Sequence, residues 1–422
     1  MNPKIISLTV FIAAYLLFVA FLKRRTMVAV GASLLLIVLG ALSVKQAFFA
    51  VNWNVMGIFV GTLFLTDIFM ESRVPAFLAE HFVNRSPSIA WAIIAICALA
   101  GFISAFVENV ATVLIVAPIA LELSKKLKIN PVNMMIGIAI SSNLQGTATL
   151  IGDPPSMLLG GFAKMNFFDF FFYRGKPSIF FAVELGALAS LPVLYYVFRK
   201  HTQKMVLVAE EKVLSWVPTF MLTAMIVALA LSSFFDAGFS FLAGIICMAF
   251  GLAALLWDVL WKKASAWQKI KSLDWDTTAF LMAVFVLVGG LIANGWIETI
   301  SGCLAGIVDG NIFLGFFGLV FLSVAISAFV DNVPYLAAML PVAIALSRSL
   351  NLEPSLLLFG LLIGASLGGN ITPIGASANI VACGILKKEG YHVSFGEFVK
   401  VGLPFTLAAV AAASVFVWLV WR

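Results

Sequence analysis

Read for its apolar and polar positions, the chain is a series of continuous apolar runs separated by short polar stretches. The runs fall at 5–22, 28–42, 90–107, 180–197, 216–231, 239–256, 280–293, 313–330 and 401–420. Most approach the ~20 residues that carry a helix across a hydrocarbon core of ~30 Å. They are unbroken rather than alternating with a period of two, which predicts helices and argues against β-barrel strands. The expected architecture is therefore an all-α polytopic membrane protein, multi-pass in the cell inner membrane. Composition agrees, with 62% hydrophobic and 11% charged residues, where a soluble domain carries roughly 25% charged.

The pattern also repeats. An offset of 223 residues brings Ser104-Ala105-Phe106-Val107-Glu108-Asn109-Val110 onto Ser327-Ala328-Phe329-Val330-Asp331-Asn332-Val333. Without a gap, the same offset places Pro118 on Pro341, Pro131 on Pro354, and Gly146, Thr149, Ile151 and Gly152 on Gly369, Thr372, Ile374 and Gly375. Asn52-Trp53 and Asp274-Trp275 match at 222. Apolar sequence readily produces chance Leu and Val matches, but not Pro, Gly, Asn and an acid in one register. The chain divides into a first repeat at 1–200, a cytoplasmic linker at 201–212 and a second repeat at 213–422.

Loop charge gives the relative orientation, because short basic loops stay cytoplasmic. The first loop of half one is Lys23-Arg24-Arg25, whereas 232–238 in half two holds Asp236 and no base. The second loop reverses the bias: Lys45 alone stands against Lys262, Lys263, Lys269 and Lys271. Inverted repeats with both termini outside follow. The basic triplet directly after the first run marks a retained span rather than a cleaved signal peptide.

Inverted-repeat transporters hold their site near the midplane, where broken helices from both halves meet. The segments 132–160 and 355–386 are too long for one crossing and too rich in Gly, Pro, Asn and Thr for continuous helix. Each reads as a re-entrant hairpin. Asn143, Thr147, Thr149, Asn370, Thr372, Ser377 and Asn379 would line the two loops. Glu108 and Asp331 stand at matched positions within apolar sequence. A carboxylate at the bilayer centre costs about 2.5–3.5 kcal/mol, so it needs a partner or a role. A helix break is expected just after each acid, at 110–112 and at Val333-Pro334, bringing in Thr112. Asn109 and Asn332 could coordinate Na⁺ or cap the following half-helix. Asp153, in Gly152-Asp153-Pro154-Pro155, has only Ala376 opposite it. That asymmetry favours ion or proton binding over a plain turn. Asp67, Glu71 and Arg73 form a further polar break, read as a structural turn.

Other chemistries lack their residues. Cys97, Cys247, Cys303 and Cys383 show no CxxC spacing, and His81, His201 and His392 are widely scattered. No resident metal site or cofactor is expected; any Na⁺ would be held by Asn109, Asn332, Asp153 and Asp331. No Walker sequence occurs, and no grouping of His with Cys that would form a catalytic centre, so the reading is a secondary transporter and not an enzyme. The net charge of +6 lies in loop bases, which argues for the lipid bilayer as partner and against nucleic acid.

Together, the paired Ser-Ala-Phe-Val-Glu/Asp-Asn-Val motifs, Gly-Thr-Ala-Thr-Leu-Ile-Gly-Asp-Pro-Pro-Ser at 146–156 and Gly-Gly-Asn-Ile-Thr-Pro-Ile-Gly-Ala-Ser-Ala-Asn at 368–379 resemble the ion transporter superfamily. Within it, the chain is most similar to the branch of arsenite permeases, NhaD-type sodium/proton antiporters and the melanosomal P protein. The resemblance covers essentially the whole chain. It implies a scaffold and a transport domain, elevator-type alternating access and a homodimer, with a soluble ATPase partner if the chain is an arsenite permease. The dicarboxylate branch carries Ser-Asn-Thr where this chain has Glu108-Asn109-Val110 and Asp331-Asn332-Val333. Acids there suit H⁺ or Na⁺ coupling to a small inorganic solute or ion better than a polyanion. Proton-coupled arsenite/antimonite efflux is the leading expectation. Sodium/proton antiport is the first alternative, and Na⁺- or H⁺-coupled transport of an organic or inorganic anion the second.

Overall fold

The apolar runs become helices, in an order that recurs from one half to the next. In the computed structural model, residues 2–21, 24–203, 212–236 and 238–422 are described. The first half supplies α1 (Pro3–Ala20), α2 (Arg25–Val38), α3 (Val44–Ala50), α4 (Trp53–Glu71), α5 (Val74–Arg85), α6 (Ile89–Ser104), α7 (Asn109–Leu127), α8 (Val132–Gly146), α9 (Pro154–Ala163) and α10 (Ile179–Phe198). The second supplies α11 (Val217–Ser232), α12 (Leu242–Trp261), α13 (Ala266–Ser272), α14 (Trp275–Ala293), α15 (Trp296–Val308), α16 (Ile312–Ser327), α17 (Asn332–Ser349), α18 (Pro354–Gly368), α19 (Ser377–Lys388) and α20 (Phe395–Trp421). A two-stranded antiparallel ribbon sits between α9 and α10, with Phe172 opposite Pro177. Lys23, whose charge entered the loop comparison, and linker residues 204–211 lie outside the described residues.

Local chemistry recurs along with the order. The second loop of each half, which holds Lys45 or Lys262 to Lys271, carries a short helix, α3 or α13. Ser43 caps α3 through Gln46 N, and Ser265 caps α13 through Gln268 N. Ser with Gln three residues on is a helix-start signal strong enough to fold seven residues between two spans. Asn52 and Asp274 then cap α4 and α14, and the Trp53 and Trp275 indoles donate back to the Phe48 and Ile270 carbonyls at 3.1 and 2.6 Å.

Helices α4, α10, α12, α14, α18 with its 3-10 extension, and α20 are long and apolar enough to cross a membrane. The first of these was hidden in the sequence because Asp67 and Glu71 sit in its C-terminal end. Helix α4 runs unbroken to Glu71, and the turn comes only at Ser72-Arg73. Arg73 (φ 59°) and its counterpart Gly295 (φ 70°) both adopt the left-handed conformation there. The acids are neutralised from across the chain. Lys269 Nζ reaches Asp67 at 3.0 Å and also Glu71, while Lys262 lies 3.3 Å from Glu71. Asp258, fully buried on α12, has Lys262 at 3.1 Å and Lys269 at 3.8 Å. Its oxygens make no well-aligned hydrogen bond, so Coulomb attraction alone balances that charge. Below this cluster α4 and α12 touch backbone to backbone: a Cβ on Gly61 or Gly251 would collide with the facing helix.

The broken segments form the centre. Almost every residue of α8 and α18 is buried. The interruptions are narrower than the composition implied, since 142–146 and 364–368 are helical and only 147–153 and 369–376 leave the α-helix. Inside this core the backbone must bond to itself wherever it can. Helices α9 and α19 each cross to the opposite half, α9 against α17 and α18, α19 against α7 and α8.

Candidate functional site: two matched helix breaks

Each half has two interruptions, and they lie against each other. In the first half, the α6–α7 junction at 105–108 meets the α8–α9 junction at 147–153. The breaks precede Glu108 and Asp331 rather than following them, which corrects the sequence expectation. Residues 110–112 form the first turn of α7, and Pro334 sits in the first turn of α17. Proline is tolerated there because first-turn N–H groups have no helical partner to lose. The capping roles shift accordingly. Glu108 and Asp331 are themselves the N-caps, accepting from Ala111 N and Val333 N at 3.0 Å each, and Asn109 and Asn332 are the first helical residues.

The two junctions are tied in the same way in both halves. Thr149 Oγ1 donates to the Ala105 carbonyl, and Thr372 Oγ1 donates to the Ala328 carbonyl. Gly152 abuts the carbonyls of Gly146, Ser104 and Ala105, while Gly375 abuts those of Gly369 and Ala328, so neither position admits a Cβ. Thr149 and Thr372 therefore hold the breaks together, and their hydroxyl protons are committed.

Around that common frame the halves differ. In the first, Asp153 is buried and caps α9 by accepting from Ser156 N at 2.9 Å, with Pro154 and Pro155 opening the helix. Asn109 and Thr147 bring their side chains to the same carboxylate. Ser104 Oγ donates to Asn109 Oδ1, and Ser142 Oγ bonds Ser104 Oγ at 2.9 Å and the Asn109 carbonyl at 3.2 Å. Gly146 is required beside them, because a Cβ there would run into Asn109 Oδ1. Asp153 and Asp274, both acids, are charged neighbours of Glu108. Among the described residues no ion pair reaches Glu108 or Asp153. One turn on from Glu108, the buried Thr112 hydroxyl has no hydrogen-bond partner among the described residues.

In the second half Ala376 caps nothing, and Asp331 forms an ion pair with Arg25 at the start of α2. Asn332 and Ser377 are half-buried at the first positions of α17 and α19. Three buried amides join the halves. Asn143 Nδ2 donates to Asn370 Oδ1 and Asn379 Oδ1, each at 2.9 Å. Asn370 donates to the Ile140 carbonyl at 3.2 Å, and Asn379 to the Gly369 and Thr372 carbonyls at 2.9 Å.

The structure thus groups Glu108, Asn109, Thr147 and Asp153 on one side, and Asn143, Asn370 and Asn379 between the halves. Asp331 stands apart with Arg25. Ser104, Ser142 and Arg25 were not among the expected site residues. Ser104 was visible as a matched serine in the repeat; Arg25 carried no signal, being 306 residues from its partner.

The family profile described as citrate transporter (CitMHS) matches residues 15–354 and 316–422. An uncharacterized transporter of Mycobacterium tuberculosis is 27% identical over 426 residues, covering 99% of this chain and 98% of that protein. The P protein of Sus scrofa is 26% identical, over 94% of this chain and 57% of its own length. Among solved structures, the Alcanivorax borkumensis YdaH transporter aligns over 99% of this chain and 98% of its own, with a TM-score of 0.61 at 13% identity. Neisseria gonorrhoeae MtrF aligns over 89% and 82%, with a TM-score of 0.52 at 15% identity. With a backbone shared with transporters from end to end and a family match over most of its length, the chain is a multi-pass membrane transporter belonging to the citrate transporter (CitMHS) family of the ion transporter superfamily.

Proposed function

We propose that the chain is a secondary transporter of the inner membrane that exchanges protons for a small cation at Glu108 and Asp153. The observation that carries this reading is the pair of neighbouring acids, with Asn109 and Thr147 beside Asp153 and with no cationic side chain in ion-pair contact among the described residues. Carboxylates held in a low-dielectric core without a counter-ion favour uptake of H⁺ or of a small cation, and the two compete for the same oxygens. A tricarboxylate would meet like charge there, and the base at the matched break of the other half, Arg25, is already paired. Sodium/proton exchange therefore fits the site better than citrate carriage.

Efflux of arsenite or antimonite is the second reading. It draws on the buried amide cluster of Asn143, Asn370 and Asn379, suited to a neutral hydroxylated solute such as As(OH)3. In both readings the halves at 1–200 and 213–422 act as inverted repeats around 201–212. The segments α8–α9 and α18–α19 act as re-entrant hairpins, moving with α7 and α17 as a transport domain in an elevator cycle.

The test is flux in proteoliposomes under an imposed pH gradient, with Na⁺, arsenite and citrate offered separately. Proton movement driven by Na⁺ alone is the expected result. Arsenite flux that follows the gradient without Na⁺ selects the second reading, and uptake of citrate alone defeats both.

A further inference from the structure

The two halves build the same backbone frame around their capping acids, yet among the described residues only the second acid forms an ion pair with a base. Arg25 approaches Asp331 from α2, and its guanidinium also lies 5.0 Å from the Phe280 ring centroid. The pair is largely enclosed: the side chains are 21% and 14% exposed. The remaining space beside them, bounded by Phe18, Phe280 and Pro334, is about 10 Å³. That is room for no more than about one water molecule.

Arg25 does not hold this place for the sake of its own helix. It is the first residue of α2, where the helix dipole disfavours a cation, and no acid lies in that first turn. The Asp331 carboxylate is what balances it. A guanidinium on a half-buried carboxylate has the charge of a bound monovalent cation, and here it is covalently tethered.

We propose that Arg25 is a built-in cation: it fills the second half-site, so that only the half-site at Glu108 and Asp153 takes an exchangeable small monovalent cation. The inference rests on the reading of those two acids as the exchange site. Arg25 is then the residue that limits the transporter to one exchangeable cation site.

The experiment uses the purified full chain and thermal unfolding with methylguanidinium chloride or NaCl as probe, against choline chloride at equal ionic strength. Arg25→Ala should gain a saturable rise in unfolding temperature with methylguanidinium that wild type lacks, because a ligand that binds only the folded state stabilises it. Arg25→Lys keeps the site filled and should behave as wild type. The gain should vanish in Arg25→Ala/Asp331→Asn, which removes both charges and should fold even where Arg25→Ala alone does not. Should Arg25→Ala fail to fold, Arg25→Gln, which retains more of the side-chain volume, carries the same comparison. No gain in either single variant, or a gain that persists in the double variant, overturns the assignment. Unchanged Na⁺/H⁺ flux in Glu108→Gln would instead strike the exchange reading, and the unfolding measurement does not depend on that flux.

Discussion

The α6–α7 junction and the α16–α17 junction are the same device put to different uses. Both place an acid as the N-cap of a half-helix, and both pin the neighbouring broken segment with a threonine hydroxyl on an alanine carbonyl. At the first, Glu108 is joined by Asp153 and a polar shell of Asn109, Ser104 and Ser142. At the second, Asp331 is closed by Arg25, and Ala376 stands where Asp153 would be. The same backbone frame carries different charges in the two halves. The lesson is that frame and function are separable: carbonyls, glycines and threonines make the break, and the acid, base or alanine placed on it decides whether the break is open to an ion.

The largest contrast should come from neutralising the two capping acids separately. Asp331→Asn leaves the Arg25 guanidinium enclosed without its partner, and removing one member of such a pair costs about 3–5 kcal/mol. Glu108→Gln strands no opposite charge and keeps an oxygen to cap Ala111 N, so its stability should fall by about 1 kcal/mol or less. Denaturant titration in mild detergent reads the first effect, and proteoliposome exchange reads the loss of coupling expected for the second. Equal destabilisation by both variants would erase the distinction between an open and a closed half-site.

Much of this was legible in the sequence, for reasons that also explain what was not. The frame could be read because Gly152, Gly375, Thr149 and Thr372 satisfy local geometric demands that few residue types meet, so they survive as matches at one offset. The broken helices showed for the same reason, and Asp153 stood out because its counterpart is Ala376. Which side of the acid would break was misread. Val333-Pro334 looks like a stop signal, but Pro in a first turn starts a helix instead. Helix α4 escaped notice because Asp67 and Glu71 are compensated by Lys262 and Lys269, bases from the other half of the chain. Arg25 counted as loop charge for want of any local clue to Asp331. Ion pairs between distant segments leave no periodic trace, and here they separate the two half-sites.

The amide cluster sharpens the comparison at its centre, because Asn143 comes from the first half while Asn370 and Asn379 come from the second. Asn143→Ala leaves two buried Oδ1 acceptors without that donor, at about 1–3 kcal/mol for the unmet groups. Asn370→Ala removes one acceptor from Asn143 but leaves the bond to Asn379 in place, and should cost less. A thermal-shift series over both variants checks the ranking. The reverse order would mean that the halves are joined elsewhere.

The smallest effect tests the frame itself. Thr149→Val and Thr372→Val keep shape while deleting the two matched hydroxyls, leaving the Ala105 and Ala328 carbonyls each short of one donor. If backbone symmetry is independent of the charges placed on it, each should lose a similar amount, about 1 kcal/mol. The double variant should lose the sum, since the two hydroxyls share no partner. Only Thr149→Val should also weaken exchange, because the break it holds carries Glu108 and Asp153 while the other carries a closed ion pair. Matched losses of stability with unmatched losses of flux are the signature of one frame serving two half-sites, and unequal stability costs would show that the divergence has reached the backbone.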